Sequence, residues 1–449
     1  MRRDLVRRLF GSRASTPARL LVALFVGILA AGTISLMLPV ATSAESNAPF
    51  MAALFTATSA VSVTGLIVVD TPTYWSGFGQ VVILTLAQLG GLGIITLGSL
   101  AGLLVSRRIG LRGRRLAQIE SGLELGDVRR VIYGVLTTAA VVELVLFALL
   151  TGAFLIRHEE SFGRALVLGG FHAISAFNNA GFTLYSDNLA GFVSDPFVSG
   201  VIAIAVLLGG IGFPVLADLR NQPRRPRRWS LHTKLTLTVV GAILSVSTLM
   251  YLFFEWTNPD TLGGLDTRGK VLAAGFNTTM RTAGFSSIDF GALNETTQLA
   301  TIISMFIGGG SGSAAGGIKV TTLALLVLAV YAEYRGDDVR AFGRRMPYGA
   351  VRQALAVALT SALALLVGTM LLLATGPFTL TDALFEATSA ASIVGLSTGI
   401  TSELNTAGEA ILIVLMIMGR LGPLTVGTAL ILRERERLYR FPEERPIVG

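Results

Sequence analysis

The chain has 449 residues, of which 52% are hydrophobic and only 14% are charged, and its mean hydropathy is +0.67. Soluble proteins carry about 25% charged residues, so this composition excludes an ordinary soluble domain. The absence of cysteine excludes disulfides and thiolate metal sites. The three histidines (158, 172 and 232) lie too far apart in sequence for a zinc motif, and no phosphate-binding loop follows a strand pattern.

The basic residues cluster between apolar runs. Of the 36 Lys and Arg, 29 lie in five short segments, namely 1–19, 106–130, 220–234, 330–352 and 433–449. By the positive-inside rule these segments face the cytoplasm, together with both termini. The net charge of +8 could instead indicate a nucleic-acid-binding face, but clusters beside membrane spans disfavour a nucleic-acid partner. Each apolar block therefore crosses the lipid bilayer an even number of times.

In chain order, the charge pattern predicts a multi-pass membrane protein made of four similar blocks. The first apolar run, LLVALFVGILAAGTISLMLPV, is long enough to span a hydrocarbon core of about 30 Å, and we expect a retained helix there. The predicted segments are an N-terminal cytoplasmic segment (1–19), repeat 1 (20–105), a cytoplasmic loop (106–129), repeat 2 (130–219), a cytoplasmic loop (220–232), repeat 3 with a broken second helix (233–334), a cytoplasmic loop (335–349), repeat 4 (350–432) and a cytoplasmic tail (433–449).

The middle of each block contains the same short pattern. The four copies read TATSAVSVTGL, FHAISAFNNAGF, FNTTMRTAGF and FEATSAASIVGL. Aligned on their glycines, position −6 is always Ser or Thr and position +1 is always Leu or Phe. The glycines are Gly65, Gly181, Gly284 and Gly395, and their spacings define a repeat of about 110 residues.

A second small-residue pattern follows each of these glycines by roughly 25 residues. It reads GGLG at 90–93, GGIG at 209–212, GGGSG at 308–312 and GRLG at 419–422. Close helix packing explains the first, second and fourth copies, because small residues let backbones approach. The third copy opens a run from Gly308 to Gly317 that contains only Gly, Ser and Ala, and Gly and Ser disfavour helix continuation.

Each block therefore reads as an outer helix, a short re-entrant helix, an extended glycine-containing turn and a second helix. Non-helical backbone at membrane depth is tolerated only where it is buried in protein or lines a watery path. Four such turns can surround an axis, and their carbonyl oxygens then replace the hydration shell of a monovalent cation. Glycine suits this role because inward-turned carbonyls need backbone angles that are costly for residues with a Cβ atom.

Three alternative roles compete with an axial pore. The glycines could serve helix packing alone. The chain could be an ion-coupled secondary transporter, such as a sodium/potassium symporter, but inverted repeats conflict with four blocks that all start inside. It could be an intramembrane enzyme, for which the sequence offers no nucleophile–base pair or metal cluster, so we expect no enzymatic activity.

The motifs SVTGL, FNNAGF, RTAGF, SIVGLSTG and GSAAGGIKV together resemble the membrane subunit of the Ktr/Trk/HKT superfamily of potassium transporters. The resemblance covers essentially the whole chain, and the start of the first helix near residue 20 resembles the shorter Ktr-type (KtrB-like) subunit. It implies an all-α polytopic membrane protein with eight transmembrane helices, in which four helix–pore-helix–filter-loop–helix repeats surround a fourfold pseudosymmetric pore.

The resemblance also implies a selectivity filter whose backbone carbonyls bind K⁺. A glycine in all four copies is the pattern that the family links with potassium, whereas a serine in the first copy would suggest sodium permeation. The implied filter residues are Val63, Thr64 and Gly65, Asn179, Ala180 and Gly181, Thr282, Ala283 and Gly284, and Ile393, Val394 and Gly395.

The small-residue run corresponds in the family to an intramembrane loop that gates the pore beneath the filter. Its residues are Gly308, Gly309, Gly310, Ser311, Gly312, Ser313, Ala314, Ala315, Gly316 and Gly317, followed by Lys319. Ala314 departs from the family, whose loops commonly have a hydroxyl residue there. Arg420 is implied to be an electrostatic barrier in the cavity, with a salt-bridged or snorkelling arginine as the alternative. For Lys319, snorkelling and a gating role stay open.

Other polar residues near the motifs have supporting roles in this interpretation. We expect Arg281 to tie its turn to a carboxylate, and Glu386 and His172 to support turns rather than to bind ions. Asp70, Asp187 and Asp289 follow three of the motif glycines, and they either attract cations at the outer mouth or cap turns.

The resemblance implies partners as well as a pore. It predicts a homodimer on a cytosolic ring of nucleotide-binding, KtrA-like regulatory subunits that bind ATP/ADP or NAD, in the plasma (inner) membrane. K⁺ is the transported ion, Na⁺ activation is left open, and no cofactor is expected on this chain. The basic loops and the tail RERERLYRFPEERPIVG are the candidate docking surfaces.

Overall fold

The computed structural model describes residues 17–106 and 125–432, with side chains described for 22–93 and 132–422. Most of the predicted N-terminal segment (1–19) and loop (106–129), and the whole predicted tail (433–449), lie outside the described residues. Within the described residues the chain is helical, apart from short 3₁₀ and π turns and one hairpin. That hairpin pairs β1 (Arg340–Ala341) with β2 (Arg344–Arg345) in antiparallel register.

The helices fall into three kinds. Four long helices begin the four predicted repeats: α1 (Pro17–Leu36), α5 (Leu125–Arg157), α9 (Leu231–Glu255) and α13 (Tyr348–Leu373). Four shorter helices each lead into a motif glycine: α2 (Phe50–Ser62), α6 (Phe162–Phe177), α10 (Thr267–Thr279) and α14 (Leu380–Ala391). The helices after the glycines are α4 (Gly77–Ser106), α7 (Pro196–Ile211) with α8 (Phe213–Asn221), α11 (Glu295–Phe306) with α12 (Val320–Arg335), and α15 (Thr406–Leu432), and α3 (Thr71–Tyr74) is a single turn.

Local chemistry starts several of these helices at defined residues. Side-chain oxygens of Ser161, Ser230, Asp266 and Thr379 accept hydrogen bonds from backbone N–H groups three residues later, at the starts of α6, α9, α10 and α14. An N-cap of this kind satisfies one of the four N–H groups that a helix start leaves without a partner.

The order of packing places the four short helices around a common centre. The helix that follows each motif glycine packs against the short helix of the next unit: α4 on α6, α7 on α10, α11 on α14, and α15 back on α2. This closed cycle brings the C-terminal ends of the short helices together. These ends are deeply buried, and in α2 every residue from Phe55 to Ser62 is buried.

Hydrophobic surface elsewhere faces outward. On α13, the side chains of Leu359, Leu363 and Met370 are more than 60% exposed. Within the described residues, three helical segments are long and apolar enough to cross a bilayer: Ile132–Arg157, Leu231–Glu255 and Tyr348–Leu373. A fourth exists if α7 and α8, which meet at a bend of 101°, form one span. A helical membrane protein is thus confirmed, while the count of eight transmembrane helices stays a prediction.

Candidate functional site

Three of the four motif turns share one unusual backbone conformation. In the first, second and fourth turns the motif glycine has a positive φ, and so does the residue two positions before it, which is Val63, Asn179 or Ile393. For a β-branched residue a left-handed φ is a genuine outlier that costs about 1–3 kcal/mol, and such outliers cluster at functional sites. In each of these turns, the two residues with positive φ turn the chain sharply away from the end of the short helix.

The third turn reaches the same place by a different path. It leaves α10 through a 3₁₀ turn at Met280–Thr282, and Ala283 then has an extended backbone. Neither Thr282 nor Gly284 has a positive φ. The expectation that all four glycines are needed for costly backbone angles is therefore wrong for Gly284. At this position glycine is needed because the turn that contains Gly395 approaches closely.

The four motif glycines form a closed ring. A Cβ atom on Gly65 would lie 3.2 Å from the Cα of Gly181, one on Gly181 would lie 2.5 Å from the Cα of Gly284, and one on Gly284 would lie 3.1 Å from the Cα of Gly395. A Cβ on Gly395 would lie 2.9 Å from the carbonyl carbon of Thr64, which closes the ring. The four predicted filter glycines are brought together here, with Thr64 and Ala180 beside them, and side chains at the ring positions would collide with backbone.

The residue six positions before the glycine supports its turn in the first, second and fourth units, but not in the third. In the first and fourth turns the glycine N–H donates to the hydroxyl of Ser59 (3.0 Å) or Ser389 (2.9 Å). In the second turn the hydroxyl of Ser175 donates to the carbonyl of Phe182 at 2.7 Å. In the third, the hydroxyl of Thr278 donates to its own helix at Ala274.

Two buried titratable side chains stand behind the turns, as the sequence predicted. Glu386 is fully buried and accepts hydrogen bonds from the Thr398 N–H (3.0 Å), the Thr401 hydroxyl (2.7 Å) and the Ser397 hydroxyl. His172 is also fully buried, with ring nitrogens 2.8 Å from the Leu168 carbonyl oxygen and 3.2 Å from the Thr183 hydroxyl. Both therefore contact the chain that follows their glycine.

An open cavity of about 610 Å³ lies on one side of the ring, and all four glycines line it. Asp70, Asp187 and Asp289 line it as well. Asp70 accepts hydrogen bonds from Thr73 and Ser186, while Asp187 and Asp289 accept from the backbone N–H groups of Gly191 and Gly291. Asp187 and Asp289 therefore cap turns, as one of the two interpretations predicted. All three carboxylates also line the cavity, where attraction of cations stays a prediction.

The small-residue run forms a loop with a closed neck between α11 and α12. The Gly308 N–H donates to the Ile318 carbonyl at 2.8 Å, and the Ile318 N–H donates to the Phe306 carbonyl at 3.1 Å. The loop then packs on the end of α7, since the Gly310 N–H donates to the Gly210 carbonyl at 2.8 Å. Gly316 lies against the Ile393 side chain of the fourth turn so closely that a Cβ atom would overlap it. The loop therefore connects the second, third and fourth units beside the ring.

Three basic side chains hold this loop through its carbonyl oxygens. Arg420, which is 6% exposed, donates to the Ala314 carbonyl at 2.6 Å and also to the Gly90 carbonyl. Lys319 is half-buried and donates to the Ala315 carbonyl at 2.5 Å. The loop's main contact with Arg420 uses backbone, so the missing hydroxyl at Ala314 does not break it.

Arg281 is the third basic residue that holds the loop, and the prediction that it pairs with a carboxylate is wrong. Among the described residues, its buried guanidinium contacts no carboxylate. It donates instead to the carbonyl oxygens of Ser304 (3.3 Å), Ile307 and Gly308 (3.2 Å), at the end of α11 and the start of the loop. The partially negative C-terminus of a helix suits a cation, so the pairing is electrostatically sensible.

The second small-residue pattern packs helices where the sequence predicted packing. A Cβ atom on Gly90, Gly209 or Gly419 would collide with the carbonyl group of Val61, Phe177 or Ala391, respectively, each four residues before a motif glycine. In these three units the second-helix backbone thus lies directly against the end of its own short helix, which positions the turn that follows.

Sequence reasoning missed two polar contacts near the ring. Asn188 bonds across to the third turn, at Gly284 and Ser286. Gln88 donates to both carboxylate oxygens of Glu143, and Asn178 bonds to both of these residues. An Asn or Gln in an apolar stretch was the available signal, but it does not identify a partner about 90 residues away.

Comparison with known proteins gives the class of this molecule. The TrkH family, described as a cation transport protein, matches residues 12–439. The chain therefore belongs to the TrkH family of cation transport proteins, and its relatives are transporters and not enzymes. The resemblance to the Ktr/Trk superfamily is confirmed.

Individual relatives extend over nearly the whole chain. The Ktr system potassium uptake protein B of Bacillus subtilis is 40% identical over 97% of this chain and 97% of its own length. The protein of the same name from Vibrio alginolyticus is 37% identical over 96% of this chain and 94% of its own. The potassium/sodium uptake protein NtpJ of Enterococcus hirae is 32% identical over 97% of each.

The fold also matches a solved structure. The potassium transporter TrkH from Vibrio parahaemolyticus superposes with a TM-score of 0.73 over 94% of this chain and 86% of that one, at 19% sequence identity. The two chains thus share a fold although only 19% of the aligned residues are identical.

Proposed function

We propose that this chain is the ion-translocating subunit of a potassium uptake system. The observation that carries the proposal is the closed ring of Gly65, Gly181, Gly284 and Gly395 at the base of an open cavity. Backbone brought this close around an axis presents carbonyl oxygens, which are the ligands that a dehydrated monovalent cation needs. Relatives that share 37–40% of their residues with this chain are named potassium uptake proteins.

In this proposal the filter consists of the three residues that end in each motif glycine. K⁺ binds the backbone carbonyls at 63–65, 179–181, 282–284 and 393–395. The strained φ angles of Val63 and Ile393 support the assignment, because strain persists where the surroundings over-determine a functional geometry. Eight membrane-crossing helices in four repeats, with the boundaries predicted from sequence, complete the architecture.

The loop at 308–317 is the proposed gate beneath the filter. It packs against the ends of the second and fourth units, and Arg420 holds it at Ala314 while Lys319 holds it at Ala315. A positive charge at this depth opposes the passage of cations, and one that donates to the loop carbonyls also ties the loop in place. Opening requires those hydrogen bonds to break.

Sodium is a second ion to consider, because the Enterococcus hirae relative is named a potassium/sodium uptake protein. Activation of potassium flux by Na⁺, or symport of the two ions, is compatible with the same ring. A glycine at position 65 favours potassium as the principal substrate.

The setting proposed for the pore is the plasma membrane, with both termini in the cytoplasm, as the five basic segments indicate. A homodimer on a KtrA-like nucleotide-binding ring is the proposed assembly. The cytoplasmic loop that contains Arg224, Arg225, Arg227 and Arg228 is exposed, which suits docking.

The test of the function is cation uptake in a cell that lacks its own potassium uptake, with and without a KtrA-like partner. We expect the wild type to restore growth at low K⁺. In Gly65→Ser, the new side chain would enter the gap between the first and second turns at φ +92°, so we expect the preference for K⁺ over Na⁺ to fall.

The matched control is Gly152→Ser in α5, where nothing lies within 4 Å of the added Cβ atom, and its selectivity should equal that of the wild type. A well-expressed wild type that moves neither K⁺ nor Na⁺ with a partner would refute the proposal. Unchanged selectivity in folded Gly65→Ser would refute the filter assignment.

A further inference from the structure

The third turn of the ring lacks the position −6 hydrogen bond that the other three turns have. Its position −6 residue, Thr278, bonds back to α10 and does not reach the turn. Its glycine also lacks the left-handed backbone found at the other three. Within its own unit the turn is held beyond the glycine, where the Asn277 side chain bonds the N–H and the hydroxyl of Ser287. The hydrogen bond to the Gly284 carbonyl itself comes from another unit.

That support comes from the second unit. The side-chain amide of Asn188 donates to the Gly284 carbonyl at 3.0 Å, and its carbonyl oxygen accepts from the Ser286 N–H at 3.1 Å. The next residue, Leu189, donates its backbone N–H to the Ser286 carbonyl at 2.9 Å. Three hydrogen bonds thus cross from one segment to a turn that is 96 residues away along the chain.

The two side-chain hydrogen bonds to Gly284 and Ser286 require asparagine at position 188. Only an amide of this length offers both a donor for a carbonyl and an acceptor for an N–H, and these two partners fix which way the amide points. Asn188 also has φ +58°, a left-handed conformation that Asn tolerates better than most residues. Asp would satisfy the Ser286 N–H but has no donor for Gly284.

The Gly284 carbonyl, to which Asn188 donates, is one of the proposed backbone ligands of K⁺. Within the described part of the chain, no hydrogen bond reaches the carbonyl oxygens of Gly65, Gly181 or Gly395, so Gly284 differs from the other three ring glycines. A carbonyl oxygen has two lone pairs, so it accepts from Asn188 and still coordinates a cation. Asn188, Gly284 and Ser286 all line the open cavity.

We propose that Asn188 is a specificity-determining residue that acts by positioning: it holds the Gly284 carbonyl at the distance that favours K⁺ over Na⁺. The inference rests on the proposed function of the ring. Selectivity depends on the number, position and field strength of the carbonyl ligands, so a released Gly284 carbonyl weakens the discrimination.

The test compares two substitutions with a control, each measured as influx of ⁸⁶Rb⁺ and ²²Na⁺ into liposomes per folded molecule. Asn188→Gly keeps the left-handed backbone and removes both side-chain hydrogen bonds, while Asn188→Asp keeps the acceptor and removes the donor. The control is Glu159→Gly, an exposed residue of the same unit with φ +52°.

We expect both Asn188 variants to lower the preference for Rb⁺ over Na⁺ by about fivefold, the factor that a loss of about 1 kcal/mol gives. We expect Glu159→Gly to retain it. An unchanged preference in either folded Asn188 variant overturns the inference, as does a lower KM for Rb⁺ in Asn188→Asp alone, which would indicate a simple charge effect in the cavity.

Failure of both Asn188 variants to fold would show a structural role and would likewise overturn the inference. A wild type that transports neither cation overturns the proposed function instead, so the two failures are distinguishable.

Discussion

The guanidinium of Arg281 donates to the carbonyl oxygen of Gly308 at 3.2 Å, which joins the third turn of the ring directly to the first residue of the loop. The same nitrogen also donates to Ser304 and Ile307. A buried cation that bonds three carbonyls is a rigid connection between the two elements. We therefore expect a displacement of the third turn to move the start of the loop.

Removal of this connection should release the loop. In Arg281→Met the three carbonyls lose their donor, and each unsatisfied buried group costs about 1–3 kcal/mol. We expect a lower melting temperature and, per folded molecule, a higher partner-independent ⁸⁶Rb⁺ flux into liposomes. The control is Arg268→Met, an exposed arginine at the start of α10, which should change neither. A folded Arg281→Met with wild-type flux would contradict the coupling.

The roles of charge and tethering at Arg420 are separable by two substitutions. Arg420→Lys keeps the positive charge but cannot reach both Ala314 and Gly90, while Arg420→Gln removes the charge. If the charge is the barrier, we expect about tenfold higher flux in Arg420→Gln, a change of about 1.4 kcal/mol, and near wild-type flux in Arg420→Lys. Equal increases in both variants would assign the effect to the lost tether. Single-channel or liposome flux measurements distinguish the two outcomes.

The loop itself should limit flux. Deletion of residues 310–315 removes the Ala314 carbonyl and the Gly310 N–H contact with Gly210, so Arg420 and the end of α7 lose their hold on the loop. We expect a higher rate of K⁺ uptake with unchanged selectivity, because the ring is left intact. Equal uptake by the deletion variant and the wild type, at equal expression, would show that the rate is limited elsewhere.

The fourth turn depends on Glu386. In Glu386→Gln the amide oxygen still accepts from the Thr398 N–H, but a neutral amide is a weaker acceptor than a carboxylate. The NH₂ group replaces the oxygen that accepts from the Thr401 hydroxyl, so that hydrogen bond has to reverse its direction. We expect a loss of about 1 kcal/mol of stability and a reduced affinity for K⁺. The exposed Glu403→Gln on the same segment is the control and should leave both unchanged. An increase in melting temperature would contradict this account.

The start of α7 should be sensitive to acid. Partial burial raises the pKa of Asp195, but hydrogen bonds from His158 and Phe197 and the charge of Arg157 outweigh it, so the pKa is lowered. A lowered folded-state pKa gives stability that is present above the unfolded value near 3.9 and is lost as pH falls through the folded value.

Asn caps a helix as well as Asp does, so Asp195→Asn removes the charge and keeps the cap. We therefore expect it to lower stability by about 1 kcal/mol at neutral pH, where the ion pair with Arg157 is complete. The difference from the wild type should shrink as pH falls below about 4, measured by thermal unfolding in detergent. Asp260→Asn, at an exposed carboxylate, is the control. A difference that is constant down to a pH of about 2 would contradict the ionic contribution.

Much of the site could be predicted from the sequence because its determinants are local and repeated. A run of apolar residues sets a helix, a Ser or Thr six positions before a glycine marks each turn, and Gly308–Gly317 cannot continue a helix. These rules gave the four turns and the break between Phe306 and Val320. Repetition supplied the rest, since four copies of a weak pattern make a strong one.

The existence of four glycine turns follows from the sequence alone, but the contacts that hold each turn depend on how the helices pack. Gly284 looks like its three counterparts in sequence, yet its support comes from Asn188 in another unit, and Arg281 bonds backbone where a carboxylate was expected. The physical reason is that a side chain's hydrogen-bonding capacity is encoded locally, whereas the partner it meets depends on how separate helices pack. Polar atoms buried in an apolar core must pair with whatever packing places beside them.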